Sequence, residues 1–230
     1  MKIDIYPISL GFDRTYLLRG QGVVMIDAGV PRKGQAFLEG LRKTPITPGS
    51  IRLLILTHGH WDHIGSAKDI RELTGARIAM HGREKDCLEK SLKPLPPPVT
   101  PAAAIFMAIM KRFMPFIKIP PAAVDIVLGD EDFPLDDFGI AGRVVYTPGH
   151  SPGSVSVLMD TGEAFVGDSA MNAFPLRLRP GLPVFAEDMQ GVRDSWKRLL
   201  DCGAKVVYPA HGSPFPAEKM RRFLDQPPHR

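Results

Sequence analysis

The sequence predicts an α+β fold in which helices cover a mixed β-sheet. Short apolar runs typical of strands alternate with segments of helical spacing, which is the βαβα order of such folds. Side chains that bind metals follow several of these runs directly. The chain has 230 residues and is 44% hydrophobic, enough to bury a full core, and we expect one domain over residues 1–230.

The N-terminal half predicts a strand meander followed by alternating helices and strands. Its first three strands are separated by glycines, which commonly mark turns. Asp27 closes the third strand, and we expect it to be a buried acceptor that holds a nearby loop. The predicted elements are strands at 2–8, 15–18, 23–26, 51–56 and 77–80, and helices at 35–42 and 66–73.

Four metal-binding side chains occur within six residues after the strand at 51–56: His58, His60, Asp62 and His63. Imidazole nitrogens and carboxylate oxygens suit Zn²⁺ and neighbouring first-row metals. The loop at the carboxyl end of a buried strand is also a usual ligand-binding position. In an extended segment, His58 and His60 would share one ion and leave the other two residues to reach another. A polar surface loop is the alternative, but crowded groups of this kind are costly to bury without partners.

Residues 92–124 interrupt the alternation and predict a helical apolar insert. After a proline-rich opening, residues 102–119 are apolar apart from Lys111, Arg112 and Lys118. The uninterrupted apolar run is too short to cross a bilayer. Four interpretations remain open: a cap over the mouth of the site, a homodimer arm at 101–120, an interfacial membrane helix, or burial on the core. The Met- and Phe-rich composition suits a pliable surface that lines a pocket.

Three further ligand-type residues each follow a short predicted strand in the C-terminal half: His150, Asp168 and His211. This repeats the arrangement of the first cluster. We expect His81, which ends a strand, to be structural, and His229 to lie in a disordered tail. The predicted elements are strands at 125–128, 143–147, 154–159, 163–166 and 205–208, and a helix at 187–200.

Composition limits the partners and the compartment. The formal net charge is +4, but Lys and Arg are scattered, so we expect no nucleic-acid partner. Cys87 and Cys202 lack metal-type spacing, and so few cysteines favour a reducing compartment over a disulfide framework. The first residues lack the apolar core of a signal peptide. We therefore expect a cytoplasmic protein without a transmembrane segment.

The motif series resembles that of the metallo-β-lactamase-fold hydrolase superfamily, over nearly the whole chain. It comprises His58-x-His60-x-Asp62-His63, then His150 in a Gly-His-Ser-Pro-Gly turn, Asp168 in a Gly-Asp pair and His211 in a His-Gly pair. The resemblance implies an αββα sandwich with the site at one edge. It further implies that His58, His60 and His150 hold a first metal, that Asp62, His63 and His211 hold a second, and that Asp168 bridges both.

The ligand chemistry agrees with this resemblance. Five histidines and two carboxylates exceed what one tetrahedral ion needs and suit two divalent ions, for which we expect zinc, with iron or manganese as alternatives. Such ions lower the pKa of a shared water, and the resulting hydroxide would attack a carbonyl carbon. Asp62 is the expected catalytic residue, since it can accept a proton from that water. The prediction is a dinuclear hydrolase of a thioester, lactone or other carboxylic ester.

Differences from individual subfamilies narrow the range of expected substrates. True metallo-β-lactamases lack a bridging aspartate at the position of Asp168, which disfavours antibiotic hydrolysis. Glyoxalase II-type thioesterases carry a basic C-terminal segment that binds glutathione, and this chain has no clear match to it unless Lys219, Arg221 and Arg222 substitute. Quorum-quenching lactonases often place a tyrosine after the bridging aspartate, whereas residues 169–172 contain none. The small-molecule substrate is therefore expected to be either an apolar acyl compound or an anionic thioester.

Two other reaction classes share the ligand pattern. A phosphodiesterase of the RNase Z type would fit the basic pI of about 9.1, but the chain is short and has no extended basic arm. A mononuclear iron persulfide dioxygenase would use similar motifs with one ion. Both remain alternatives to the carbonyl hydrolase.

Overall fold

The computed structural model describes residues 3–174 and 177–225, so the predicted tail around His229 lies outside the described residues. The strands are β1 (Asp4–Ser9), β2 (Arg14–Arg19), β3 (Val23–Ile26), β4 (Ile51–Ile55), β5 (Arg77–His81), β6 (Ile126–Leu128), β7 (Phe133–Pro134), β8 (Gly142–Tyr146), β9 (Val155–Met159), β10 (Glu163–Phe165), β11 (Val206–Tyr208) and β12 (Phe215–Pro216). The α-helices are α1 (Gly34–Leu41), α2 (Trp61–Ile64), α3 (Ala67–Thr74), α4 (Lys85–Glu89), α5 (Pro101–Phe113), α6 (Met189–Asp201) and α7 (Glu218–Leu224).

Within the described ranges the strands form two mixed sheets of six strands each. The first has the order β1-β2-β3-β4-β5-β6, with an antiparallel meander followed by parallel pairing from β3 to β6. The second has the order β12-β11-β10-β9-β8-β7 and is antiparallel except for the parallel pair β10 and β11. The predicted meander is confirmed, and β9 and β10 form an antiparallel hairpin.

Three apolar cores hold the layers together: one lies between the two sheets, and one lies between each sheet and the helices on its outer face. The central core joins the two sheets and includes Val24, Leu53 and Ile55 from the first and Val144, Val157 and Phe165 from the second. On the outer face of the first sheet, Phe37 and Leu41 of α1 and Ile70 of α3 pack on Met25, Leu54 and Ile78. On the outer face of the second, Trp196 and Leu199 of α6 and Met220 of α7 pack on Leu158 and Val207. The result is the predicted αββα sandwich.

Local signals explain where the longer helices begin. The Thr100 side chain accepts a hydrogen bond from the Ala103 N–H, and Pro101 occupies the first turn of α5, where its missing N–H costs nothing. Asp188 caps α6 in the same way through the Gln190 N–H.

The extended conformation expected through residues 58–63 is wrong at its end. His60 is extended, but the N–H groups of His63 and Ile64 donate to the His60 carbonyl and start the short helix α2. Asp62 and His63 therefore leave the loop from a helical turn instead of alternating along a strand. The sequence interpretation also missed α4 and α7, which are short and rich in charged residues.

The apolar insert reaches a main core near its C-terminal end, where Ile119 is buried and Ile117, Ala122 and Val124 pack against the core on the first sheet. Its helix α5 packs through Ala103 and Met107 on a small separate cluster that includes Met171, Val184 and Phe185. Burial on a main core therefore applies to the end of the insert, whereas α5 lies on the separate cluster. No helix within the described ranges combines the length and apolar character needed to cross a bilayer.

Candidate metal centre

The structure brings all seven predicted ligand residues together at one edge of the sandwich. Each lies on a loop or short helix that follows a strand: the first four after β4, His150 after β8, Asp168 after β10 and His211 after β11. Ligand-type atoms cluster within 4.8 Å of one another in three overlapping groups that could each hold a metal ion. We call His58–His60–His150 the first group and Asp62–His63–His211 the second group, and the third, His58–His63–Asp168, shares one residue with each of them.

The first group is an entirely buried set of imidazoles. His60 Nδ1 and His150 Nε2 are 3.0 Å apart, and the His58 ring lies edge-on to both, with centroids 4.5 and 4.7 Å away. His150 is oriented by its Nδ1, which lies 2.8 Å from the Phe185 carbonyl oxygen. Burial lowers the pKa of all three histidines, that of His60 to about 3. Neutral imidazoles keep the lone pair that a metal ligand needs.

The second group pairs imidazoles with carboxylates. His211 Nε2 lies 3.5 Å from Asp62 Oδ2 and 3.3 Å from Asp168 Oδ1. The same oxygen of Asp168 also lies 3.3 Å from His63 Nε2. The other oxygen of Asp168, Oδ2, faces the first group at 3.7 Å from His150 Nε2. Asp168 therefore stands between the two groups and directs one oxygen at each.

Charge in the second group is balanced locally. Burial opposes the protonated imidazole, but Asp168 and its neighbouring carboxylates raise the pKa of His63 and His211 well above the ordinary value. Burial likewise opposes ionisation of Asp168, yet His211 and His63 hold its pKa well below the usual range. An ionised carboxylate at this depth needs adjacent positive charge, which these groups supply.

Unpartnered atoms show that the donor set fits a cation. In the part of the chain that the structure describes, the Nε2 atoms of His58, His60 and His63 and Oδ1 of Asp168 are buried without a hydrogen-bond partner. Buried polar atoms are normally satisfied because leaving them unpaired is costly. Imidazole nitrogen and carboxylate oxygen are the ligands of Zn²⁺ and related ions, so bound cations would satisfy these atoms.

Asp27 is a buried acceptor, as expected, and it contacts the Nδ1 side of the His63 ring. Its Oδ2 lies 2.9 Å from His63 Nδ1, and its Oδ1 accepts the Thr57 N–H at 2.8 Å. Asp27 has a positive φ of 60°, a conformation that asparagine and aspartate tolerate better than most residues. The carboxylate thus fixes both the start of the loop and the ring orientation of His63.

Glu84 is a supporting residue that sequence reasoning missed. It is buried, and its two oxygens accept the N–H groups of Gly59 and Gly153 at 3.0 and 2.8 Å. Gly59 lies between His58 and His60, so the carboxylate joins the first ligand loop to the loop of His150. The charged run from Arg83 to Asp86 is typical of a solvated helix start and contained no signal for this role.

Asp13 was also missed. Its side chain is buried, and neither oxygen has a hydrogen-bond partner among the described residues. Burial raises its pKa to about 7, an effect that His63 partly offsets. Asp13 adds a buried carboxyl group whose charge interacts with the second group.

His81 does not join the cluster. It is buried at the end of β5, its Nε2 lies 3.1 Å from Asp130 Oδ1, and its ring stacks on Tyr146. These contacts agree with the structural role that we expected.

A cavity of about 270 Å³ opens directly on the ligand groups. Its floor includes His60, Asp62, His150, Asp168 and His211. Its wall is apolar and includes Phe106, Met107 and Met110 of α5, with Leu95, Phe12, Trp61, Met171, Phe174 and Phe185. In the described ranges no Lys or Arg lines it. The insert therefore contributes part of the cavity wall, and its role as a cap stays a prediction.

Fold and site together define a class: an αββα sandwich with a His/Asp cluster suited to divalent cations at one edge. The family model described as the metallo-beta-lactamase superfamily matches residues 11–211. The chain belongs to this superfamily. The family relationship and the His/Asp clusters support a metal-dependent hydrolase.

Similar proteins agree with this assignment. The probable metallo-hydrolase YflN of Bacillus subtilis is 25% identical over 88% of this chain and 80% of its own length. The metallo-beta-lactamase fold-containing protein ST1585 of Sulfurisphaera tokodaii is 30% identical over 92% of this chain and 77% of its own. The fold also matches the solved structure of TTHA1623 in a di-iron-bound form, with a TM-score of 0.66, 23% identity and coverage of 94% and 97%.

Proposed function

We propose that this protein hydrolyses a lactone, thioester or other carboxylic ester whose acyl part is apolar. The observation that carries the proposal is the apolar cavity, which ends on five of the seven ligand-type residues. A substrate held by its acyl chain against Met107 and Met110 would present its carbonyl group to the ligand groups. Few, well-placed polar groups in an apolar pocket are typical of small-molecule sites.

We further propose that the site holds two divalent ions. His58, His60 and His150 would bind the first ion, Asp62, His63 and His211 the second, and Asp168 both. The opposed directions of the two Asp168 oxygens support this division. The di-iron-bound form of TTHA1623, a protein of the same fold, is consistent with two ions at such a site. We expect zinc, with iron or manganese as alternatives.

Ions bound there would supply Lewis acidity and lower the pKa of a shared water molecule. The protein's own groups then have separate tasks. We assign to Asp62 the acceptance of a proton from the attacking water, because this carboxylate both belongs to the second group and lines the cavity. Asp27 holds His63 in one orientation, and the apolar wall excludes bulk water from the reacting carbonyl.

The structure favours an apolar acyl substrate over an anionic glutathione thioester. The candidate basic residues Lys219, Arg221 and Arg222 lie on α7, which packs on α6 in the outer helical layer. Arg221 and Arg222 pair with Glu218 on that helix, and neither lines the cavity. A glutathione carboxylate in the cavity would therefore meet no Lys or Arg side chain of the described residues.

The test is a comparison of two substrates on one metal-loaded preparation whose metal content is measured. One is S-lactoylglutathione and the other is a long-chain acyl-homoserine lactone. We expect a higher kcat/KM on the lactone and about two metal ions per chain. Preference for the glutathione thioester would contradict the apolar substrate. Activity on neither compound with two ions bound would turn attention to phosphodiesters, and a single iron would favour the dioxygenase.

A substitution in the cavity wall tests directly whether the acyl chain binds there. In Met110→Ser, a polar group replaces part of the apolar surface, so KM for the long-chain lactone should rise about tenfold. A lactone with a two-carbon acyl group should be affected little, because it does not reach this wall. Met189→Ser is the matched control, since Met189 packs between α6 and the second sheet and lines no part of the cavity. Equal losses on both lactones would contradict acyl binding at Met110.

A further inference from the structure

Helix α5 touches the rest of the protein along one narrow stripe. Within the helix and the turn that follows, Ala103, Met107 and Met114 are buried, while most other side chains are exposed. The exposed ones are unusually apolar for a surface helix. Ile105, Ile109, Phe113 and Phe116 are 66%, 55%, 55% and 80% exposed. A contiguous exposed apolar surface of this kind commonly marks an interaction site.

The charges on this segment all have one sign. Residues 92–124 contain Lys93, Lys111, Arg112 and Lys118 and no Asp or Glu. The Lys93 side chain makes contacts within the segment, because its Nζ donates to the carbonyls of Met114 and Ile117. The other three are exposed beside the apolar side chains. An apolar helix face flanked by cations is complementary to a lipid surface that carries negative charge.

We propose that α5 and the turn at 114–116 bind the surface of a membrane that contains anionic phospholipids. The apolar side chains enter the interface, and Lys111, Arg112 and Lys118 lie at the level of the lipid phosphates. A symmetric homodimer through the same face is the competing occupant. In such a dimer the segment of one chain would face the same segment of the other. The Lys and Arg side chains of both copies would then lie close together, and residues 92–124 contain no acidic residue to pair with them.

Binding in this orientation has a consequence for the cavity. The same helix that exposes Ile109 and Phe113 lines the cavity through Phe106 and Met110. Phe12 and Phe174, which also line it, are 78% and 82% exposed at the mouth. The mouth would then face the lipid surface. That this would admit lipophilic esters rests on the proposed function, whereas the membrane binding itself does not.

The experiment is co-sedimentation of the metal-loaded full chain with vesicles, without substrate. One vesicle is phosphatidylcholine alone, and the other contains about 30 mol % phosphatidylserine. We expect binding to the anionic vesicles to be about a hundredfold stronger, because each of the three exposed cations strengthens it about fivefold. The apolar variant Ile109→Ser/Phe113→Ser should lose about tenfold, and the charge variant Lys111→Gln/Arg112→Gln, which removes two of the three cations, should lose about 25-fold.

Control variants separate this proposal from the proposed reaction. Leu73→Ser/Val127→Ser removes two exposed apolar side chains elsewhere, on α3 and β6, and should bind vesicles as the unaltered protein does. All these variants should keep hydrolysis of a short water-soluble ester, because none of the changed residues lines the cavity. Absence of binding to anionic vesicles overturns the proposal. A lipid-free dimer that Ile109→Ser/Phe113→Ser converts to a monomer also overturns it and identifies a second copy as the occupant.

Discussion

Gly153 donates its backbone N–H to Glu84 Oε1 at 2.8 Å, and this bond ties together two separate ligand loops. The other oxygen of Glu84 accepts the Gly59 N–H at 3.0 Å. Close approach depends on glycine, because a Cβ at Gly153 would lie 2.4 Å from Glu84 Cγ. The buried carboxylate therefore sets the spacing between the His58–His60 loop and the His150 loop, on which the proposed first metal depends.

Replacing Glu84 by Gln should weaken the first metal site. The amide keeps one acceptor oxygen but turns an NH₂ group toward a backbone N–H, so one loop loses its hydrogen bond and is repelled. Changes to groups that orient metal ligands typically cost 10–100-fold in affinity, and we expect a loss in that range. Isothermal titration of the metal-free protein with Zn²⁺ measures it.

Glu89→Gln is the matched control for this variant. Glu89 is half-buried on the same helix and accepts the Val124 N–H, away from the ligand loops. Its replacement should leave metal affinity unchanged. If Glu84→Gln bound Zn²⁺ as tightly as the unaltered protein, the two loops would be held without this carboxylate.

Replacing Asp168 by Asn should reduce the number of bound ions. The two carboxylate oxygens face different histidines, at 3.3 Å from His63 and 3.7 Å from His150. Asparagine supplies only one oxygen, and its NH₂ group is not a metal ligand. We expect the metal content, measured by mass spectrometry after dialysis, to fall from about two ions per chain to about one. Retention of both ions would contradict a bridging role.

The two cysteines should differ sharply in reactivity. Cys87 is buried, and burial raises the pKa of its thiol to about 12, so almost no thiolate forms at neutral pH. Cys202 is exposed. Brief treatment of the native protein with iodoacetamide should label Cys202 and leave Cys87 unmodified, as peptide mass spectrometry would show. Equal labelling would mean that the region around Glu84 opens readily.

The clustering of the seven candidate ligand residues could be predicted because the position of each depends on local sequence. His150, Asp168 and His211 all follow short apolar strands at Gly- or Pro-containing turns, and strand ends of this kind meet at one edge of a sandwich. The strand before His58 is buried except at Arg52, as its mainly apolar sequence indicated.

The supporting residues could not be predicted because their roles depend on tertiary contacts. Glu84 lies 25 residues from Gly59 and 69 from Gly153 in sequence. The pairing of β5 with β4 brings it near Gly59, and the packing of the second sheet on the first brings Gly153 to it. The helical turn α2 was missed for a different reason. It is stabilised by the loop's tertiary surroundings rather than by helix propensity, since a four-residue helix has little stability of its own.

The Asn172 side chain holds the loop of His211 through hydrogen bonds to Ser213. Asn172 Oδ1 accepts the Ser213 N–H at 2.7 Å, and its Nδ2 donates to the Ser213 carbonyl at 3.0 Å. The Asn172 N–H also donates to the His211 carbonyl at 3.0 Å. Asn172→Ala keeps only this backbone bond, so His211 should be held less firmly while the first group is untouched.

In Zn²⁺ titrations, Asn172→Ala should therefore weaken one binding event about tenfold, as expected for loss of a supporting contact. Glu84→Gln should weaken the other, because its carboxylate acts on the loops of His58, His60 and His150. The double variant distinguishes independent sites from a single coupled one, since losses at independent sites add in free energy. If both single variants weakened the same event, the division of the seven ligands between two ions would be wrong.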